Sequence, residues 1–235
     1  MIKSKNNLFY PLMVFFGKQA FRIFGGLVSI VDTHQPFMSS YKNYPFHLLE
    51  ENWTIILEEY LSALNIIQPK DIQSYFEEQK KIVLDNEWQT IPLRLYNHNF
   101  NENCALFPKT IEILNQIGGV SSVLFSALLA GKEIRPHKGP YKGVVRCHLG
   151  LIIPSDRKNC KIVVNNKIRH WNEGKVLLLD DTFEHYAVNH TKEDRVVLFL
   201  DIDRKLPFPL NIVNKFFFNI LAKTAYTKDV LKAYI

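Results

Sequence analysis

Short runs of alternating apolar and polar residues fill the chain between residues 120 and 203. The runs are SSVLFSALL, VVRCHLGLII, CKIVV, IRHW, KVLLLD, HYAVNH and RVVLFLDI, and the turn-forming stretches SDRKN, NNK, NEG and TKED separate several of them. A period of two is typical of strands that bury one face, and Gly, Asn, Asp and Ser are typical of turns. The pattern therefore predicts about seven short strands in a β-sandwich or a β-barrel.

Two segments before this region have a helical period instead. Residues 46–65 place apolar residues three and four positions apart with acids between them, which predicts a surface helix. Residues 107–119 contain a proline suited to a first helical turn and end in two glycines, which predicts a second helix. Residues 82–97 between them have the pattern of a strand. We expect a single β domain that these helices brace.

Both ends of the chain mix basic and aromatic residues, in residues 1–32 and 207–226. No uncharged apolar run reaches the roughly 20 residues of a membrane-spanning helix, so we expect no span. Each end is either an amphipathic helix packed on the core, which composition favours, or a helix lying on an anionic bilayer. We divide the chain into an N-terminal amphipathic segment (1–45), a β domain with bracing helices (46–205) and a C-terminal helical segment (206–235).

The overall charge narrows the class of partner. The 235 residues carry a formal net charge of +6, which suits an anionic substrate, an acidic membrane surface or a nucleic acid. No run of Lys or Arg supports the last, so we expect no nucleic acid as partner. Three cysteines without the spacing of a zinc module or a disulfide framework indicate a reducing compartment, the cytoplasm. The sequence does not set the oligomeric state.

Polar side chains interrupt the predicted strands at a few positions. In residues 144–153, Arg146 and His148 share one strand face with Gly150, while four apolar residues line the other face. If that face were the inside of a barrel, two basic groups there would require an anionic partner. The other interrupting residues that we select are Ser126, His137, Asp181, His185 and Arg195.

These residues lie in PHKGP, RCHLGLIIP, WNEGKVLLLDDTFEHY and DRVVLFLDID. In this order and spacing, residues 120–203 resemble the aspartyl/asparaginyl β-hydroxylase family of Fe(II)- and 2-oxoglutarate-dependent oxygenases. LEENWTIILEE and FPKTIEIL are similar in particular to the lipid A 2-hydroxylase branch of that family. The resemblance implies that residues 46–205 form a double-stranded β-helix, a cupin-like jelly roll, which agrees with the run of short strands.

The resemblance implies that His137 and His185 are the iron ligands. Most such oxygenases add a carboxylate ligand two residues after the first histidine, and here that position is Gly139. The iron would then have two protein ligands. Asp181 matches an acidic residue that does not bind the metal itself but holds a water molecule bound to the metal.

The remaining residues match the binding site of the co-substrate. Arg146 and His148 match residues that bind the metal-proximal carboxylate of 2-oxoglutarate. Arg195 matches the arginine that pairs with the distal carboxylate, and Ser126 matches the serine that assists it. An arginine presents a rigid fork of donors that suits a carboxylate. Lys138 and Lys142 add positive charge near the iron, which argues against a neutral peptide substrate.

The activity implied is hydroxylation of an unactivated carbon with Fe(II), 2-oxoglutarate and dioxygen, with ascorbate as an assisting reductant. The substrate is a lipid acyl chain, as in the lipid A branch, or the β-carbon of Asp or Asn residues in a protein. The basic, aromatic ends favour the lipid, reached by peripheral contact with the inner face of the membrane.

Several alternatives stay open at this stage. In one alternative the domain is a metal-free β-helix binding module. In another it acts on a small molecule, which it hydroxylates or, because Gly139 leaves room for chloride, halogenates. The single residues have alternatives too: an ion pair of Arg146 with Asp181 or Asp203 instead of a bound ligand, a role of Asp180 and Asp181 only in the turn before His185, and structural roles for the histidines 148, 170 and 190.

Overall fold

The computed structural model describes residues 10–42, 44–74, 81–83 and 87–223. Its helices are α1 (Tyr10–Val31), α2 (His47–Glu51), α3 (Trp53–Ala63), α4 (Asn101–Ala105), α5 (Pro108–Ile117) and α6 (Leu210–Lys223). Its strands are β1 (Phe37–Met38), β2 (Lys70–Asp71), β3 (Trp88–Leu95), β4 (His98–Asn99), β5 (Val120–Leu128), β6 (Lys132–His137), β7 (Val144–Ile152), β8 (Cys160–Val164), β9 (Lys167–Arg169), β10 (Val176–Leu179), β11 (His185–Asn189) and β12 (Arg195–Asp203).

The strands form two antiparallel sheets. The major sheet has the order β1-β10-β7-β12-β5-β3-β2, with β4 added beside β3, and the minor sheet has the order β6-β11-β8-β9. Between β5 and β12 the chain passes back and forth from one sheet to the other, so that strands distant in sequence become neighbours. This is the topology of a double-stranded β-helix, and the predicted fold class is confirmed.

The apolar face of β7 explains how the helices attach. Val145, Cys147, Leu149 and Leu151 are completely buried and pack in one cluster with side chains of α2, α3 and α5. Full burial of a Val or Leu side chain contributes about 1.5–3 kcal/mol. The opposite face of β7 is therefore turned toward the minor sheet and the inside of the barrel, as the alternation predicted.

Two of the local differences from the sequence prediction have a clear physical reason. The single helix expected over residues 46–65 is divided at Asn52, whose side-chain amide donates a hydrogen bond of 2.8 Å to the Leu48 carbonyl. Such a side-chain bond to the preceding turn interrupts a helix. Strand β6 was not predicted, because it buries Ile134 alone and contains Pro136. It lies at the edge of the minor sheet, where proline is tolerated.

Helices α1 and α6 pack beside each other at one end of the barrel. Phe24 and Val28 of α1 and Phe218 of α6 are buried in a cluster with Tyr141 and Val144. Packing on the core, one of the two interpretations of these segments, is therefore observed. Among the residues that the structure describes, none of the helices is long and apolar enough to cross a membrane. The boundaries at residues 45 and 205 stay a prediction, and residues 1–9 and 224–235 lie outside the described residues.

Candidate active site

A cavity lies between the two sheets, and we call it the barrel cavity. Its aromatic and aliphatic walls include Trp88, Trp171 and Phe199. Six of the seven selected residues line it: Ser126, His137, Arg146, His148, His185 and Arg195. Side chains separated by as many as 69 positions in the sequence, Ser126 and Arg195, thus share one enclosed space, because β5, β7 and β12 are neighbours in the major sheet.

The two predicted metal ligands lie side by side on neighbouring strands of the minor sheet. His137 ends β6, His185 begins β11, and the two residues are direct partners in the antiparallel pairing. Their ring centroids are 4.1 Å apart. In each ring Nδ1 lies within hydrogen-bond distance of the carbonyl oxygen two residues earlier, that of Arg135 at 2.8 Å and that of Phe183 at 3.0 Å.

These backbone bonds prepare both rings to bind a metal ion. A carbonyl can only accept, so Nδ1 carries the proton and Nε2 keeps its lone pair. Burial lowers the pKa of His137, and burial together with the neighbouring His137 lowers the pKa of His185 to about 3. Both rings are therefore neutral near pH 7, as metal ligation requires.

Asp181 lies against Gly139, the position at which most oxygenases of the type that the sequence resembles carry a third, carboxylate metal ligand. A Cβ atom built on Gly139 falls 2.1 Å from Asp181 Oδ2, and the Gly139 amide donates a 2.8 Å hydrogen bond to the Asp181 carbonyl. The space beside Gly139 is thus filled by a carboxylate from the loop before β11. The halogenase alternative assumes room for chloride at Gly139, where the Asp181 carboxyl group lies, and halogenation itself stays an untested alternative.

Arg146 is held by two carboxylates. Its Nη1 lies 2.9 Å from Asp181 Oδ2, and its Nε lies 3.1 Å from Asp201 Oδ1. Asp201 is the partner of Arg146 in the pairing of β12 with β7. The ion pair with Asp181 was one of the alternatives, whereas the second partner is Asp201 and not Asp203. Binding of a co-substrate carboxylate by Arg146 stays a prediction.

His148 directs a donor into the barrel cavity. The indole nitrogen of Trp171 donates to its Nδ1 at 3.2 Å, which places the proton of the ring on Nε2. Nε2 is buried without a hydrogen-bond partner among the described residues. Burial and the nearby Arg195 and Arg146 lower the pKa of His148, so the ring is neutral. A neutral N–H donor without an acceptor is a site for a ligand oxygen.

Arg195 is a buried cation without a counter-ion in the part of the chain that the structure describes. Its guanidinium lies 4.6 Å from the centre of the Trp171 ring, and no carboxylate lies within ion-pair distance. Its Nε has no hydrogen-bond partner among the residues that the structure describes. Burial lowers its pKa to about 10, so it stays charged near pH 7. A buried, unpaired charge destabilises the folded protein by roughly several kcal/mol, and a bound anion would compensate this penalty.

Ser126 also keeps a free donor. Its oxygen accepts a 2.8 Å hydrogen bond from the indole nitrogen of Trp88, so its own hydroxyl proton is available to a ligand. Ser126 is the partner of Val197 in the pairing of β5 with β12, two residues from Arg195. Both residues line the barrel cavity, as a pair that shares one carboxylate would.

Two residues near the site have structural partners instead. Lys142 is buried and lies 3.4 Å from Asp180, so its charge has a partner in the protein. Its effect on the charge beside the iron stays a prediction. Asp180 also accepts a 3.1 Å hydrogen bond from the Thr182 amide and pairs with Arg204 at 3.0 Å. Asp180 therefore shapes the turn, as one alternative held, while Asp181 faces Arg146.

A second cavity, which we call the vestibule, lies on the other side of Arg146. Asp181, Asp201 and Arg146 line its polar side, and its aromatic side is formed by Phe21, Tyr96, Tyr141 and Phe218. Arg146 borders both cavities. The vestibule therefore lies next to the predicted metal position, between the barrel and the helices α1 and α6.

The donor atoms fit an iron and 2-oxoglutarate site. The two Nε2 atoms are the soft-to-borderline ligands that Fe(II) accepts, and the unpaired donors of His148, Arg195 and Ser126 suit a dicarboxylate. Within the described ranges, no three His, Cys, Asp or Glu side chains are grouped as a metal cluster. The fit to iron rests on the histidine pair.

Comparison with known proteins adds an independent observation. The sequence model of a family described as aspartyl/asparaginyl beta-hydroxylase matches residues 50–205. The chain belongs to the aspartyl/asparaginyl β-hydroxylase family.

Two relatives in this family cover similar parts of the chain. A protein of Rhizobium tropici named ornithine lipid ester-linked acyl 2-hydroxylase is 39% identical over 152 residues, which are 65% of this chain and 54% of that protein. The aspartyl/asparaginyl beta-hydroxylase of Mus musculus is 30% identical over 159 residues, 66% of this chain and 21% of that protein. This chain thus spans about half the length of the first relative and about a fifth of the second. Among solved structures, a prolyl-4-hydroxylase of Pseudomonas putida superposes with a TM-score of 0.45 at 12% identity, covering 78% of this chain and 100% of that one.

Three residues that shape the site in this family member were missed in the sequence. Asp201 shares a strand face with Arg195, but its pairing with Arg146 depends on the register of β7 and β12. Trp171 follows β9 in a loop, where no periodicity marks a buried side chain. Trp88 is the first residue of β3, and its bond to Ser126 joins elements 38 positions apart.

Proposed function

We propose that this protein is an Fe(II)- and 2-oxoglutarate-dependent dioxygenase that hydroxylates an unactivated carbon. The observation that supports it most is the barrel cavity, which holds two neutral imidazoles, 4.1 Å apart, together with the unpaired cation of Arg195. Neither feature has a structural explanation within the described residues. Each is explained by a ligand, the first by a metal ion and the second by an anion.

The chain's own residues divide the work of binding. Nε2 of His137 and of His185 would hold the iron, and the backbone bonds at Nδ1 fix both rings in that orientation. The carboxylate of Asp181 would hold a water beside the iron. Iron and 2-oxoglutarate, when bound, supply the oxidation: dioxygen converts 2-oxoglutarate to succinate and carbon dioxide and delivers one oxygen atom to the substrate carbon.

The positive charge and the free donors in the barrel cavity support 2-oxoglutarate as the co-substrate. Arg195 and Ser126 would bind one carboxylate of 2-oxoglutarate, and the Nε2 proton of His148 would bind the other. A hydrogen bond to a charged group contributes about 1.5–3 kcal/mol net, and closing the site with a dianion also removes the cost of the bare guanidinium. Arg146 stands between the two cavities, where its two aspartates fix its orientation.

The substrate that we propose is a fatty-acyl chain of a lipid. The vestibule beside Asp181 has an aromatic side formed by Phe21, Tyr96, Tyr141 and Phe218, which suits an apolar chain. The name of the Rhizobium tropici relative, an acyl 2-hydroxylase acting on ornithine lipid, supports the same class.

Hydroxylation of Asp or Asn β-carbons is the second candidate, which the name of the mouse relative supports. The charges in the vestibule favour the lipid over an aspartyl side chain. Asp181 and Asp201 carry two carboxylates against the one guanidinium of Arg146, so an incoming aspartate would bring a third carboxylate to an already acidic wall.

Two measurements test this function in sequence. Protein, Fe(II), ascorbate and 2-oxoglutarate are mixed and succinate is quantified, with His137→Ala as the control. Succinate that depends on His137 supports the proposal, and its absence in both proteins favours a metal-free binding module. Lipids extracted from cells with and without the protein are then compared by mass spectrometry. A species heavier by one oxygen atom in its acyl chain supports the lipid substrate, and its absence contradicts it.

A further inference from the structure

Apolar side chains are exposed in one region of the molecule far more than elsewhere. In the described residues, twelve large hydrophobic side chains are exposed, and eight of them lie in α1 or between residues 208 and 220. The eight are Ile23, Leu27, Ile30, Val31, Phe208, Ile212, Phe216 and Ile220. We call this set the exposed apolar face.

The exposed apolar face follows the helical period on both helices. Positions 23, 27 and 30 of α1, and positions 212, 216 and 220 of α6, are three or four residues apart, so each set forms one stripe. The opposite stripes, which include Phe24 and Phe218, are buried against the barrel. Phe217 joins the two helices through contacts with Phe21 and Phe24 at 5.2 and 5.3 Å between ring centroids. Two adjacent helices therefore both present apolar stripes that none of the described residues covers.

The charges on these helices have one sign. The sequence of α1 contains Lys18 and Arg22, the sequence of α6 contains Lys215 and Lys223, and neither contains an Asp or Glu. Arg22 and Lys215 are exposed. An apolar stripe flanked by cations alone is complementary to a surface that is apolar inside and anionic outside. A protein groove of ordinary composition presents both signs of charge, and these helices offer no acidic group to match its cations.

The exposed apolar face is also close to the vestibule. Phe21 of α1 and Phe218 of α6 line the vestibule from the inner side of the same two helices. The exposed stripe and the vestibule therefore lie on opposite sides of the same helices, and a helix with its side chains is about 10–12 Å across.

We propose that α1 and α6 together bind the surface of an anionic phospholipid bilayer through the exposed apolar face. The helices lie in the plane of the membrane with their buried stripes on the barrel. Binding requires neither iron nor 2-oxoglutarate, so it stands independently of the proposed function. It would place the vestibule at the level of lipid acyl chains.

Flotation of the full chain with vesicles tests the proposal. Protein is mixed with vesicles of phosphatidylglycerol and phosphatidylcholine, or of phosphatidylcholine alone, and separated in a density gradient without iron or 2-oxoglutarate. We expect flotation with the anionic vesicles, weaker flotation with the neutral ones, and release at high salt because salt screens the cations. Flotation with neither kind of vesicle overturns the proposal.

Matched substitutions identify the surface. Ile23→Asp and Phe216→Asp each place a charge in the exposed apolar face and should lower the partition coefficient by about tenfold or more. Ile66→Asp is the control, because Ile66 is exposed to the same degree as Ile23, 68% against 66%, and lies outside the face. An equal loss in the control, or no loss in either variant, overturns the proposal.

Two further readouts separate the outcomes. His137→Ala should float as the unchanged protein does, although it should no longer form succinate. An unchanged protein that floats but forms no succinate would contradict the proposed function and leave membrane binding standing. Light scattering in solution tests a second copy of this chain as the occupant. A dimer that Ile23→Asp and Phe216→Asp both dissociate would assign the exposed apolar face to self-association and overturn membrane binding.

Discussion

The carboxylate of Asp181 occupies the place in which a side chain on Gly139 would begin. The atoms of that carboxyl group lie 2.1 to 2.7 Å from the position of a Gly139 Cβ, and Arg146 holds Oδ2 at 2.9 Å from its Nη1. A side chain at residue 139 and a carboxylate at residue 181 therefore exclude each other. This chain has an acid on the loop before β11 where most oxygenases of this type have one two residues after the first histidine.

Gly139→Ala should consequently displace Asp181 from Arg146. Overpacking of this kind costs about 1–3 kcal/mol, and we expect a lower melting temperature and weaker Fe(II) binding. The double variant Gly139→Asp with Asp181→Gly restores room for one carboxylate and should recover most of both losses. Thermal denaturation and Fe(II) titration of this double variant, and of Gly139→Asp and Asp181→Gly singly, form a double-mutant cycle. Simple additivity of the single effects would contradict the exclusion.

Arg195→Met should weaken 2-oxoglutarate binding without lowering the stability of the ligand-free protein. Removal of an unpaired buried charge relieves its desolvation, so the ligand-free variant should melt at or above the temperature of the unchanged protein. Loss of charge-assisted bonds worth about 1.5–3 kcal/mol should weaken 2-oxoglutarate binding by about tenfold to a hundredfold. Calorimetry checks the second effect, with Arg195→Lys expected to lie between the two proteins. Unchanged 2-oxoglutarate affinity in Arg195→Met would remove the proposed role.

Trp171→Phe should weaken 2-oxoglutarate binding, because it removes the hydrogen bond that keeps the proton of His148 on Nε2. The phenyl ring still covers Arg195, but the donor to His148 Nδ1 is lost, so the imidazole no longer holds its proton on Nε2. We expect the KM for 2-oxoglutarate to rise by about fivefold to tenfold, the value of one hydrogen bond, with a smaller change in kcat. A change in kcat alone, measured by succinate formation, would show that Trp171 acts by another route.

The metal-free protein should lose stability as the pH falls below about 6.5, where histidines of the unfolded chain take up protons. Burial holds the pKa of His185 at about 3 and lowers that of His137 and His148, so the folded state does not take up those protons. Each histidine that stays neutral removes up to about 1.4 kcal/mol per pH unit. Above about pH 7 the effect vanishes, since both states are neutral.

Urea unfolding at several pH values measures this slope. His185→Asn should flatten it, because the variant has no imidazole at residue 185 to take up a proton in the unfolded state. Equal slopes in His185→Asn and the unchanged protein would contradict the assignment of a neutral, buried His185.

Strand faces could be predicted from the sequence wherever one face is apolar. The alternation in β7 correctly separates Arg146, His148 and Gly150 from the buried residues that contact the helices. Strand β6, which carries His137, escaped the same test because an edge strand with one buried residue has no apolar face to detect. The role of His137 as a metal ligand was predicted only through the resemblance of its motif to a family.

Contacts between elements could not be predicted. Alternation places Arg146 and Asp201 on inward faces of their strands, but only the register of β7 and β12 makes them partners. The position of Asp181 beside Gly139 depends on how the loop before β11 folds, and hydrophobic patterns do not encode that path. For the same reason the sequence showed Lys142 as a charge near the iron, whereas the fold pairs it with Asp180.

Anaerobic titration of the protein with Fe(II), followed by 2-oxoglutarate, measures whether the histidine pair binds iron. We expect one Fe(II) per chain, 2-oxoglutarate affinity that increases when iron is bound, and loss of iron binding in His137→Ala and in His185→Ala, with both variants still folded by circular dichroism. Iron binding that persists unchanged in both variants, or no iron binding by the unchanged protein, would contradict a metal site at His137 and His185.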